Sequence, residues 1–224
     1  MPIADRSTYL LPLAVELLKQ WPANRLVNIV CHGHSVPAGY FRTPEVRSLD
    51  AYPQVLKEGL DPRYPFAVLN VIVTAIGGEN SVSGANRFTD QVLCHRPDLL
   101  TIDYGLNDVY SGLADSERAW RSMIEASLAR QVPVILLTPT HDLSRNGTDP
   151  AWPASRWQEL HTHAEQIRRL AGEYGIGLAD SFAAWEAHYA GGGDLLDLLS
   201  AANHPNRLGH ELVARELIRW FPLP

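Results

Sequence analysis

The chain has 224 residues, 46% of them hydrophobic and 20% charged, and carries a formal net charge of −6. That size and balance suit one globular domain over residues 1–224 with ample material for a core. The acidic excess disfavours a nucleic-acid surface, and no apolar run approaches the length that spans a bilayer.

Leu10, Leu13, Ala14, Leu17 and Leu18 share one helical face, which predicts an N-terminal helix. The same stretch lacks a basic n-region and a small-residue cleavage site, so it does not read as a secretory leader. Next comes "RLVNIVCHGHSVPAGYF" (25–41), in which Leu26, Val27, Ile29 and Val30 predict a strand buried on both faces. Four further apolar runs predict strands: 65–75, 97–105, 132–140 and 175–181. Helical patterns cover 51–59, 85–95, 115–131, 155–173 and about 206–221. Strand and helix alternate, so the fold class is α/β: a five-stranded parallel sheet, flavodoxin-like, with helices on both faces. Two connections, 40–53 and 139–157, are long for such units and leave the carboxyl ends of strands, where they can wall a ligand site. Cys31 and Cys94 stand in apolar surroundings and read as buried free thiols, with the cytoplasm as the default location.

The carboxyl ends of parallel strands lie on one side of a sheet. They would bring together His32 to Ser35, then Gly77-Gly78, then Gly105 to Asp108, then His141-Asp142, with His204 preceding the last helix. This set supplies the parts of acyl transfer. A serine hydroxyl needs a base to take its proton, and a neutral imidazole is that base near pH 7. A tetrahedral intermediate needs fixed hydrogen-bond donors, which glycine turns and an asparagine amide provide without added charge.

Four blocks carry a family resemblance. "GHSVPAG" (33–39), "AIGGENS" (75–81), "YGLND" (104–108) and "NHPNRLGH" (203–210) occur in the order and spacing of the SGNH hydrolases, also called the GDSL-like lipase/acylhydrolase family, which this chain resembles. The resemblance implies a three-layer α/β/α sandwich and a serine ester hydrolase acting on a small acyl or acetyl ester, without a metal or organic cofactor. It implies Ser35 as nucleophile and His204 as base, with the oxyanion held by the N–H of Ser35, the N–H of Gly78 and the amide of Asn107. Two positions depart from the family pattern. His34 replaces the Asp that precedes the nucleophile, and Ala201 replaces the acid three residues before the catalytic histidine. The imidazole could then be oriented by Asp197, by Asn203, by a backbone carbonyl, or by nothing, as a Ser–His dyad.

Bland roles stand beside these. Ser35 could simply cap a helix, Asn107 could hold a turn, and His210 reads as a helix-surface residue. Two rival functions remain: a degenerate member that binds an acyl or glycan ligand without turnover, and a metal-dependent hydrolase using His32 and His34. The expected partner is a small-molecule ester; oligomeric state is not legible.

Overall fold

The computed structural model describes residues 2–222. In chain order it contains α1 (Leu11–Leu17), β1 (Leu26–Gly33), α2 (Ser35–Ala38), α3 (Tyr52–Leu60), β2 (Val68–Val73), α4 (Ser81–Asn86), α5 (Phe88–Gln91), β3 (Leu99–Asp103), α6 (Gly105–Asp108), α7 (Leu113–Leu128), β4 (Val134–Leu137), α8 (Ala154–Tyr174), β5 (Gly177–Ala179), α9 (Ser181–Ala190) and α10 (Arg207–Ile218). The five strands form one parallel sheet in the order β2-β1-β3-β4-β5. Strand order reverses between β1 and β3, and the crevice outside their carboxyl ends is where such sheets bind ligands.

The alternation of side chains along each strand builds two cores. Val27, Ile29, Cys31, Leu99, Ile135, Leu137 and Ala179 face one layer, made by α1, α3, α10 and the first half of α8. Val30, Leu100, Ile102, Val134, Leu136 and Leu178 face the other, made by α5, α7 and the second half of α8. The result is a three-layer α/β/α sandwich. Full burial of one such aliphatic side chain stabilises the fold by roughly 1.5–3 kcal/mol, and β3 and β4 are buried along their whole length. No described helix is long and apolar enough to cross a membrane.

Several sequence expectations need correction. Leu26 is exposed, so burial of β1 begins at Val27. The 85–95 pattern is two short helices rather than one. Asn80 caps the first by accepting from the Ser83 N–H, and the chain breaks at Arg87, whose guanidinium is held by Glu79 and the Thr74 carbonyl. Cys31 is buried and free, but Cys94 is exposed. His210 is buried in α10 and accepts a hydrogen bond from the Tyr52 N–H at 3.2 Å. Helix α9 was not anticipated. Asp180, read as the end of a strand, is its cap and accepts from the Ala183 N–H.

Candidate active site

Ser35 is the first residue of α2, two positions beyond the register pair Gly33–Asp103 that ends β1 and β3. Gly33 is required by close approach: a Cβ there would lie 2.5 Å from the Asp103 carbonyl oxygen and 2.8 Å from Pro37. The strand can therefore run against β3 and turn directly into the helix, which leaves Ser35 at the sheet's carboxyl rim.

His204 comes from the other end of the chain, in the turn before α10. Its Nε2 lies 3.1 Å from Ser35 Oγ across 169 positions of sequence. Both residues are largely buried, Ser35 at 5% and His204 at 8% exposure, so one edge of the pair still meets solvent. Burial holds the His204 pKa below its ordinary value, with the nearby His34 acting in the same direction. The imidazole is thus neutral near pH 7, the state a base needs. The nearby Phe41 backbone carbonyl opposes that shift. Since Nε2 faces Ser35, Nδ1 is the nitrogen left for this carbonyl.

The turn holding His204 is tied by Ser200. Its N–H donates to the His204 carbonyl at 2.9 Å, and its hydroxyl reaches the carbonyls of Phe41 (2.8 Å) and His204 (3.0 Å). Arg42 donates from Nε to the Ser200 carbonyl. The 40–53 connection therefore braces the base, a wall that sequence placed near the site. Asp197 does not face His204. Its carboxylate accepts from the Asp194 N–H at 2.7 Å and lies 3.3 Å from His188 Nε2 on the exposed side of the turn.

The other candidate oxyanion donors lie on the segments that follow β2 and β3. Gly78 has φ +82°, a left-handed conformation that favours glycine. No described atom lies within 4 Å of where its Cβ would be, so the turn borders open space. The N–H groups of Ser35 and Gly78 make no hydrogen bond among the described residues. Asn107 gives one amide hydrogen to the Glu79 carbonyl at 2.8 Å, which fixes the side chain and leaves its second hydrogen free to donate. Behind it, buried Asp108 accepts from the Ser81 N–H (2.8 Å) and Trp120 Nε1 (2.6 Å), pinning the Gly78 loop to α6; burial pushes its pKa up to about 6.

The two histidines of the first block do different work. His32 is fully buried, with Nδ1 3.0 Å from Thr74 Oγ1 and Nε2 3.1 Å from Tyr104 Oη. Desolvation pulls its pKa down to about 3, so it is a neutral core residue. His34 caps α2: its Nδ1 accepts the Val36 N–H at 3.2 Å. That nitrogen carries a lone pair, so the ring proton is on Nε2, which faces Asp103 Oδ1 at 3.5 Å. The described residues contain no group of three or more His, Cys, Asp or Glu side chains that could hold a metal ion.

The 139–157 connection also reaches the rim. Arg156 donates to Asp142 (2.7 Å) and to the Leu106 carbonyl (3.2 Å). Its guanidinium lies over Tyr110 and Trp152, 4.9 and 5.0 Å from the ring centroids, and Tyr110 is 74% exposed. His141 instead is enclosed by Trp157, Phe182, Trp185 and Tyr189 and is part of the core. Sequence reasoning missed Asp103, the polar end of an apolar run, and offered a backbone carbonyl near the imidazole without naming Phe41, which has no side-chain signature. A cleft of about 520 Å³ lined in part by Arg6, Asp180, His188 and Glu216 lies between α9 and α10 and contains neither Ser35 nor His204.

The model of the GDSL-like lipase/acylhydrolase family matches residues 31–212. Among solved structures, the chain is similar to an acetylxylan esterase from Geobacillus stearothermophilus, at 21% identity and TM-score 0.70 over 88% of this chain and 95% of that one. It is similar to a two-domain esterase active on acetylated mannans, at 19% identity and TM-score 0.74, over 97% of this chain and 54% of that one. A lipolytic protein of the G-D-S-L family from Desulfitobacterium hafniense DCB-2 aligns at 18% identity and TM-score 0.65, over 87% of this chain and 99% of that one. A comparison with curated proteins finds no match.

Proposed function

The chain belongs to the GDSL-like lipase/acylhydrolase family and is as such a carboxylic ester hydrolase, and from that premise we propose that it removes small acyl groups, acetyl foremost, through a Ser35 acyl-enzyme. The observation that carries this reading is the 3.1 Å approach of His204 Nε2 to Ser35 Oγ. In this mechanism His204 takes the hydroxyl proton as Oγ attacks the ester carbonyl. The oxyanion is held by the N–H groups of Ser35 and Gly78 and by the free amide hydrogen of Asn107. His204 returns the proton to the departing alcohol, then activates the water that releases the acid. With Ala201 in the usual acid's place, His204 acts as a dyad base, with the Phe41 carbonyl near its ring.

An acetylated sugar is the first natural substrate class to test. The rings of Tyr110 and Trp152, held by Arg156 next to the Asn107 segment, offer flat apolar faces to a pyranose. Esters of acetylated xylan and mannan are the substrates named for two of the similar structures. Hydrolysis of p-nitrophenyl acetate, butyrate and octanoate should fall in that order. Ser35→Ala should lower kcat by roughly four powers of ten or more. Equal rates for wild type and Ser35→Ala would leave a ligand-binding protein without turnover at this site.

A further inference from the structure

Resting on the hydrolase reading above, we propose that His34, faced by the Asp103 carboxylate, is a second proton acceptor for the Ser35 hydroxyl, subordinate to His204. Among the described residues His204 has no carboxylate partner: residue 201 is Ala, and Asp197 is turned toward His188. A carboxylate–imidazole pair is nevertheless present in the site, on the other histidine. Asp103 Oδ1 lies 3.5 Å from His34 Nε2, and His34 Nδ1 lies 3.5 Å from Ser35 Oγ. His34 and Asp103 are 1% and 4% exposed, and the buried His34 Nε2 makes no hydrogen bond among the described residues, with Asp103 Oδ1 facing it from just beyond hydrogen-bond geometry. The array runs acid, imidazole, hydroxyl, as in a catalytic triad, but it reaches Ser35 from the residue just before it. His204 approaches the same oxygen from the far end of the chain.

The ranking of the two bases follows from what each lone pair does. The Val36 N–H shares the lone pair of His34 Nδ1, so accepting a proton there forfeits the cap of α2. His204 Nε2 is closer and gives up no backbone hydrogen bond. His34 therefore shows its contribution when His204 is removed. With p-nitrophenyl acetate, the Ser35 O–H bond breaks as Oγ bonds the carbonyl carbon, and the proton passes to His34 Nδ1. The p-nitrophenolate leaves with the C–O electron pair and needs no proton; the imidazolium releases its proton to solvent. Water then attacks the acetyl-enzyme and gives one proton to the same nitrogen; acetic acid departs as Ser35 Oγ regains that proton, and the acid ionises in solvent.

The test measures p-nitrophenyl acetate turnover and fluorophosphonate labelling of Ser35 in two backgrounds, His204 intact and His204→Ala. His34→Asn keeps a helix-capping oxygen but cannot accept the proton; His34→Ser does the same should the Asn variant fail to fold. His204→Ala should stay about tenfold or more above Ser35→Ala, and adding His34→Asn should remove that residue of activity. With His204 intact, His34→Asn should cost far less. Asp103→Asn should repeat this background dependence, marking Asp103 as a positioning residue; a merely structural role would lower both backgrounds by the same factor. The proposal is overturned if His204→Ala already equals Ser35→Ala, or if His34→Asn acts equally in both backgrounds. Failure of the hydrolase reading is distinct, because wild type would then equal Ser35→Ala.

Discussion

On one side of the site, residues 32–39 run from β1 into α2 without interruption; on the other, residues 198–206 form an irregular turn that delivers His204. The first is fixed by the sheet. Register with β3, the close approach at Gly33 and the His34 cap leave Ser35 little freedom. The second is fixed by hydrogen bonds (Ser200 to His204 and Phe41, Asn206 N–H to the Leu198 carbonyl, and a single bridge between Leu199 and Pro205) and by a small apolar cluster of Leu198 and Leu199 with Trp185 and Leu195. The nucleophile is thus a property of the sheet, and the base is a property of a small satellite cluster and a few polar contacts. Substitutions should therefore perturb the two sides differently.

Apart from loss of the nucleophile or the base, the largest effect is expected on the sheet side. Asn107→Ala removes one oxyanion donor and should lower kcat by roughly two to three powers of ten with little change in KM. A KM effect larger than the kcat effect would move Asn107 from the transition state to ground-state binding. On the turn side, Ser200→Ala should lower kcat about tenfold by letting the imidazole drift, while thermal denaturation stays close to wild type. A large loss of melting temperature would instead make the turn a structural element like the strand. Asp197→Asn is the smallest kinetic effect, within a few-fold, because its carboxylate faces Asp194 and His188. A loss of several powers of ten would mean that the turn rearranges during turnover to bring Asp197 to His204.

Acid separates the two sides as well. His32 and His210 are buried with pKa values pulled down to about 3. Below about 6.5 the unfolded chain binds protons that these folded sites refuse, so their contribution, complete above that pH, is lost as pH falls toward 3. Each should cost up to about 1.4 kcal/mol per pH unit. Urea titrations at pH 7, 6 and 5 check this, and His210→Gln should flatten the slope. The His204 pKa is lowered as well, so the acid limb of the kcat/KM profile should lie below the ordinary histidine range.

The sequence made the sheet side more legible than the turn side, for a physical reason. Buried strands advertise themselves by composition, and the rim residues follow them directly, so Ser35, Gly78 and Asn107 could be placed from one chain. His204 was placed by its block, but its support was not. Ala201 showed only that an acid was missing, and the Phe41 carbonyl is invisible to side-chain reasoning. Asp103 needed the register of β1 against β3, which no single strand encodes. His210 looked like a surface residue because its partner, the Tyr52 N–H, lies 158 positions away.

The span between Ser35 and His204 has a further consequence. A chain emerging from synthesis holds its serine long before the histidine exists, and the two meet only once the last helix has docked against α3 and α9. Hydrolytic competence is therefore a late arrival, and recovery of turnover after denaturation would report that the polypeptide has finished folding, which a spectroscopic signal from the early strands would not.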